Sequence, residues 1–514
     1  MTKFAVREPN SRREMAQLLW GAKGAMDSLL LLRSLIVVLA LLAALAWGRY
    51  FDQVSAGLRR FFFEPSSPVN LGLTRVVVFA LVLDSAWNSE APWFAGLPPE
   101  FRRFPPGWEW AAQVLPMTPG GVGLARFVLI GAAGLALFGL CSRVTSAVAA
   151  VLAFYVFGVE NCFFKISHGN HVPTLSALVL AVSPCGDGLS LDAWLRRRRG
   201  LSAFSMHAAY TVPVRFCWLL LGTMYLFPGL WKLWQTGDLW LVGDKPLADM
   251  YEKWGQMRDY VPLVRVDDLP FLLAIAGIST LIFEIGFFPA LFFRTSRVIA
   301  GVFGALFHLG VGLSMGIWFN PIHPLIVLFD YPGILELKPL SRLRSRWIQS
   351  TGTPPTAAAP SLRTARAAHA AFVLGSVFCF GQVLAGLAPI DSWPIAIYPR
   401  FATRNKPPRT SSALRFVVQS GQGSQREVRP RFVHFGNDSA SVTRIISSLL
   451  DGKRKNKAEK FEGYSKLLLR IAEEELGAFK PGDTFLIYRY TFPTDPALRQ
   501  GNDSEDELIA ELQL

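Results

Sequence analysis

Over most of the chain, long apolar runs are separated by short polar, basic or aromatic breaks. The clearest runs are residues 29–47, 125–140 followed by 144–157, 216–230, 271–293 and 298–317, with another at 368–387 and a shorter one at 172–182. Several reach the ~20 residues that cross a bilayer as a helix. No single soluble core could hide so many. The pattern therefore predicts an all-α polytopic membrane helical bundle of about nine or ten spans, counting 172–182 as one.

Beyond residue 395 the pattern changes. "ALRFVVQ" and "REVRPRFVHF" alternate at the strand period, 442–450 and 457–476 repeat at the helical period, and "DTFLIYRYTF" alternates again. Strands around two helices predict a small C-terminal α+β extramembrane domain. The closing "GNDSEDELIAELQL" is acidic and reads as a frayed helix. Four parts follow: 1–66, a basic leader with one apolar helix and an interfacial "LRRFFF" stretch; 67–340, the main bundle; 341–394, a linker and the last span; and 395–514, the extramembrane domain. The first apolar run follows a mixed polar and charged leader with no small-residue cleavage site, so it is expected to be retained.

Composition agrees with the pattern. The chain has 514 residues, 51% hydrophobic and 18% charged, against about a quarter charged in an ordinary soluble domain. The net charge of +14 is read as basic loops facing anionic headgroups and the cytoplasm. No nucleic-acid-binding motif accompanies it. The five cysteines lie in or beside the apolar runs with no CxxC spacing, which argues against a disulfide scaffold or a cysteine metal site.

If Arg196 to Arg199 face the cytoplasm, alternation puts Arg143, Arg294, Arg297 and the basic 338–366 linker on that side as well. Segments 90–121, 161–170 and 234–268 and the C-terminal domain then lie on the non-cytoplasmic side. The basic leader (Lys3, Arg7, Arg12, Arg13, Lys23) falls outside, against the charge rule.

Charged side chains at membrane depth cost ~2.5–3.5 kcal/mol on insertion scales, so each asks for a reason. Asn170 and His171 stand at the start of the 172–182 run, where a histidine also serves as a cap or sits among headgroups. Lys232 ends an apolar run containing Tyr225 and stands between Trp231 and Trp234. A lysine there either snorkels to the interface or is held partly desolvated by aromatic walls. Desolvation disfavours the ammonium and leaves an amine able to accept a proton. Glu284 falls mid-run and His308 on the next run, as a buried pair or as supports of a site. His308, Lys232 and Arg215 are the possible partners of Glu284. Under the orientation above, Asn170, His171 and Lys232 share the outer ends of neighbouring spans and are expected to meet in one pocket.

Soluble-enzyme signatures are missing: no GxxxxGK[ST], GxGxxG or HExxH occurs. "GLSMG" at 312–316 matches GxSxG but lies in an apolar run rather than a strand-turn-helix elbow. His168 and His171 alone make a weak metal site, and no metal is expected.

The ordered set "NLGLTRVVVFALVLDSAW", "LFGLCSRVTSAVAAVLAFYVFGVE", "GNHVPTLSALVLAVSPCGDGLSLDAW", "MYLFPGLWKLWQTGDLWLVGDKPL", "FEIGFFPALFFRTSR" and "FHLGVGLSMGIWFN" resembles vitamin K-dependent gamma-glutamyl carboxylase and its bacterial HTTM relatives. The resemblance runs from Pro65 to Gly333. It implies that Lys232 in "GLWKL" is a catalytic base and that His171 with Asn170 in "GNH" assists it. It also implies a reduced vitamin K or menaquinone-type quinone, with O2 and CO2 as co-substrates and a protein or peptide glutamate as acceptor. Two features depart from the family enzyme: Trp231 precedes Lys232 where the enzyme has a lysine pair, and the tail is too short for its large lumenal domain. Two other functions compete: a non-catalytic, lipid- or quinone-binding scaffold, and a haem protein using His171 and His308.

Overall fold

The computed structural model describes residues 30–328 and 362–513, apart from short stretches at 40, 43–44, 47, 115–116, 165, 202–205, 258–259, 319–321, 397–401, 404–406, 436–438 and 500–505. The basic leader, most of the 341–366 linker and part of the first apolar run lie outside the described residues. The chain is mostly helical. Seven described helices are long and apolar enough to cross a membrane. They are α3 (Pro68–Trp87), α6 (Pro119–Phe138), α7 (Ser142–Glu160), α10 (Ala208–Val242), α12 (Pro270–Ala290), α13 (Arg294–Met315) and α14 (Leu362–Leu387). Shorter helices fill the numbering: α1 (Leu30–Leu39), α2 (Phe51–Phe63), α4 (Ala91–Ala95), α5 (Ala111–Val114), α8 (His171–Ala181), α9 (Leu191–Arg198) and α11 (Asp244–Gly255). The protein is an integral, multi-pass membrane protein.

Local signals start and stop these helices. Ser67 and Thr118 accept hydrogen bonds from Val69 and Gly121 backbone N–H groups, each followed by a proline at the first helical position. Gly139 closes α6 at φ 68°, a conformation that costs glycine nothing. The Asp192 carboxylate accepts from the N–H groups of Cys141 and Ser142 at 2.8 Å each and caps the start of α7.

The described count is seven spans rather than nine or ten, and α8 accounts for part of the difference. Its 11 residues extend about 16 Å, roughly half the hydrocarbon thickness. Nine of them are buried among α3, α7 and α10. A broken helix at this depth survives only where protein satisfies its backbone. Arg75 of α3, fully buried, donates to the carbonyls of Cys185 (2.7 Å) and Gly188 (3.3 Å) in the irregular return after α8, and to that of Leu137 in α6 (3.4 Å).

α10 also departs from expectation. The helix does not end at Lys232 but continues to Val242, with a non-helical residue at Thr236 (φ −143°, ψ 22°) and prolines at 213 and 228. It packs closely on α12 because glycines face the contact. A Cβ at Gly277 would stand 2.0 Å from the Trp240 carbonyl oxygen, and one at Gly229 would stand 2.7 Å from Glu284 Cβ.

The C-terminal domain is a four-stranded antiparallel sheet, ordered β2 (Gln425–Val428), β1 (Thr410–Gln419), β3 (Thr484–Pro493), β4 (Glu507–Gln513). Two helices, α15 (Ser439–Arg454) and α16 (Ala458–Leu476), complete it. The acidic C-terminus is not a frayed helix: β4 pairs with β3 from Thr484↔Gln513 to Arg489↔Glu507 and buries Ile509 and Ala510. Pairing to an open sheet edge outweighs the helical propensity of its glutamates. "REVRPRFVHF" supplies only the last three residues of β2, then breaks at Pro430 into a short 3-10 turn, Val433–Phe435.

This domain sits on one end of the bundle, against the loops that alternation had grouped on one side. His434 stacks on Trp93 (centroids 4.4 Å apart) and lies 3.0 Å from Glu90, and Tyr464 meets Phe101 edge-on. On the other flank, Arg499 donates to the carbonyls of Trp254 (2.9 Å), Met257 (3.1 Å) and Tyr260 (3.2 Å).

Candidate functional site

Beneath the domain lies a cavity of about 1180 Å³, lined by α3, α8, α10, α11, α12, α13 and the domain's own Val433, His434 and Phe435. Its walls are mostly apolar, among them Leu221, Met224, Leu273, Phe307 and Val311. Several buried ionisable side chains break the apolar lining.

Lys232 is placed by α10 and Glu284 by α12, across the Gly229 contact. The Lys232 amine donates to Glu284 Oε1, and the residues are 5% and 7% exposed. This pairing answers the cost of a carboxylate at mid-span. Glu284 Oε2 is buried and has no hydrogen-bond partner among the described residues. Arg215 is engaged elsewhere, over the rings of Trp218 and Phe61.

The aromatic wall of the lysine differs from the expected one. Trp231 points away and donates to the Gly386 carbonyl (2.7 Å), and Trp234 is more than a third exposed. Trp240 takes their place: beyond the break at Thr236, its ring centroid stands 5.2 Å from Lys232 Nζ. Trp240 Nε1 is buried without a partner among the described residues.

Tyr225, two helical turns before Lys232, packs on Phe283 and Phe287 (4.9 and 4.8 Å). Its hydroxyl lies 2.7 Å from His308 Nε2. Gly243, at φ 90°, reverses the chain into α11, which adds Asp249 and Lys253 to the cavity wall. Asp249 is paired with the buried Lys245. Burial pushes the Asp249 carboxyl up to about 7, with Lys245 acting in the opposite direction. Lys253 donates to Gln256 Oε1 at 2.7 Å.

Asn170 reaches the cavity from a 3-10 turn, His168–Asn170, but His171 does not line it. The His171 ring is fully buried, 4.8 Å from the Trp393 ring in a T-shaped contact and 5.1 Å from that of His168. Neither ring nitrogen has a hydrogen-bond partner among the described residues. The structure thus gathers Lys232, Glu284, Tyr225, His308 and Asn170 around one space and sets His171 behind it. His171 and His308 do not face each other across the cavity. Ser314 of the GxSxG match bonds back to the Gly310 carbonyl (2.8 Å) within α13.

Sequence reasoning missed Trp240, Lys245, Asp249, Lys253 and His323, which also lines the cavity. The spacing 245, 249, 253 marks one helical face, and a charged face in a loop region reads as solvated. Here that face is buried.

An integral membrane bundle with ionisable groups gathered in an internal, domain-capped cavity defines the class. The chain belongs to the HTTM-domain family, which matches residues 63–329. Comparison with curated proteins and with solved structures returns no match.

Proposed function

We propose that the cavity binds a reduced lipid quinone and that Lys232 is the base that deprotonates it. One observation carries this reading: a buried amine held by a carboxylate on the wall of a mostly apolar cavity. The donor set fits the ligand. Glu284 Oε2 and Asp249 Oδ2 are buried acceptors, and Trp240 Nε1 a buried donor, with no partners among the described residues. A hydroquinone hydroxyl donates and accepts, so it satisfies groups whose isolation is costly. Ligand sites commonly enclose ~300–1,000 Å³, so about 1180 Å³ holds a fused-ring head and part of an isoprenoid tail.

When bound, such a quinol supplies, with O2, a base strong enough to take the γ-proton of a glutamate side chain, whose carbanion takes up CO2. Lys232 Nζ forms its N–H bond as the hydroxyl O–H bond breaks, which requires the amine to be unprotonated at that moment. Glu284 prepares it by accepting the ammonium proton through their hydrogen bond. Asn170 supplies a neutral hydrogen-bonding group at the cavity wall. His171 acts as a positioning residue, since its ring, wedged against Trp393, fixes the turn that carries Asn170. The capping domain limits access of bulk water, which strengthens each electrostatic contact inside.

The acceptor is a protein or peptide glutamate by resemblance to the carboxylase. The site and the domain belong to the non-cytoplasmic side on this reading. The basic α9 lies at the Ser142 end of α7 through Asp192, and the domain lies at the Glu160 end through Glu90.

A second reading, a quinone- or lipid-binding scaffold without turnover, is favoured by the domain's double anchorage across the cavity mouth. Purified protein supplied with reduced vitamin K and O2 decides between them. Epoxide formation that Lys232→Ala abolishes, in a variant that still folds and binds quinone, supports the base. Quinone binding with no epoxide from the wild type supports the scaffold.

A further inference from the structure

Among the ionisable side chains that line the same cavity are Lys232, Glu284, Tyr225, His308 and His323. They form a chain of neighbours. The Lys232 amine is bonded to Glu284, and Glu284 is close enough to act electrostatically on Tyr225. Tyr225 Oη lies 2.7 Å from His308 Nε2, and His323 is close enough to act on His308. The members come from α10, α12, α13 and the segment that folds back after α13, so no one helix accounts for the row.

Ionisable groups at this depth are expensive and recur where protons or ions move. A single Tyr225 to His308 bond would satisfy a structural need, yet the row goes on to a second imidazole. His323 Nε2 is buried with no hydrogen-bond partner among the described residues. Glu284 and His308 are buried, and Tyr225 and His323 are half-buried. The row therefore leads from the Lys232/Glu284 pair to the segment that folds back along α13.

We propose that Tyr225, His308 and His323 form a relay that carries away the proton Lys232 takes up. This rests on the reading of Lys232 as the base. Glu284 already holds the proton it took from the ammonium, and that proton moves first, to Tyr225 Oη as the tyrosine's own O–H proton moves to His308 Nε2, then from His308 to His323 and on to buffer. Glu284, again a carboxylate, then accepts the proton that Lys232 Nζ has gained from the quinol. Each transfer breaks one N–H or O–H bond and forms another, with cavity water bridging where no direct bond exists. No oxidant or reductant is consumed. Relay residues of this kind set how fast the base is reset and not how tightly the quinol binds.

The test uses the full chain in lipid nanodiscs with reduced vitamin K and O2, at low buffer concentration and with added imidazole. His308→Gln and His323→Gln are expected to lower turnover by about 10²-fold with an unchanged KM for the quinol. Added imidazole restores most of the rate, and the solvent deuterium isotope effect grows. Wild-type turnover in both variants overturns the relay and leaves Lys232 as base untouched. A loss that comes with a raised KM and no imidazole rescue also overturns it, because those residues then only shape the pocket. His323→Gln lies on the segment after α13 and not in a span helix, and so reports even if His308→Gln fails to fold. A wild type that forms no epoxide removes the base and the relay together.

Discussion

Lys232 and Glu284 each carry a charge that the membrane interior penalises, and each is tolerable only because of the other. Removing one partner of a buried pair strands the second charge, at a cost of about 3–5 kcal/mol, whereas replacing both with apolar side chains of similar volume is often neutral. Glu284→Ala is therefore expected to lower the unfolding midpoint in detergent markedly. The double variant Lys232→Met/Glu284→Leu should recover most of the loss while remaining inactive. Equal loss in both would mean that the pair contributes through packing and not through charge. The sequence flagged both residues as costly without pairing them, because three cations were available and only the fold chose.

The α10 and α12 contact sets where those side chains meet. Gly277 and Gly229 let the helix backbones approach, as small residues do in membrane bundles, and any larger side chain must push them apart. Gly277→Val places methyl groups against the Trp240 carbonyl and should cost at least about 1–3 kcal/mol through overpacking. Gly286→Val, on the same helix with open space around it, should be silent. Thermal melts of the two purified variants, with monodispersity on size exclusion as a second measure, check this. The same element explains the misread aromatic wall. A helix ended at Lys232 puts Trp231 and Trp234 nearest in sequence, but the helix continues past Thr236 and brings Trp240 to the amine.

On the scale of the whole molecule, the C-terminal domain bridges the cavity mouth from Trp93 and Glu90 on one flank to Trp254 on the other. Arg499 concentrates three of the second-flank contacts in one guanidinium, a geometry its planar fork suits. Arg499→Ala should detach that flank and raise the rate of tryptic cleavage between bundle and domain several-fold. Arg426→Ala, exposed on the outer strand β2, should leave it unchanged. Time-resolved limited proteolysis in nanodiscs reads both.

Apolar run length and period-two alternation by themselves determined the class of this protein: a helical membrane bundle followed by a small α+β domain. Both depend only on what a bilayer or a sheet demands of consecutive residues. The penalty on intramembrane charge likewise marked Lys232, Glu284 and His308 without any structure. Tertiary structure alone decided that the short run after Asn170 stops half-way across, that His171 turns from the cavity to Trp393, that the charged face of α11 points inward, and that the acidic C-terminus closes the sheet as β4. The physical reason is common to all four. Periodicity reports that a face is covered, but the partner that covers it comes from a distant part of the chain, through contacts such as Arg75 with the 185–189 turn or Gly277 with Trp240.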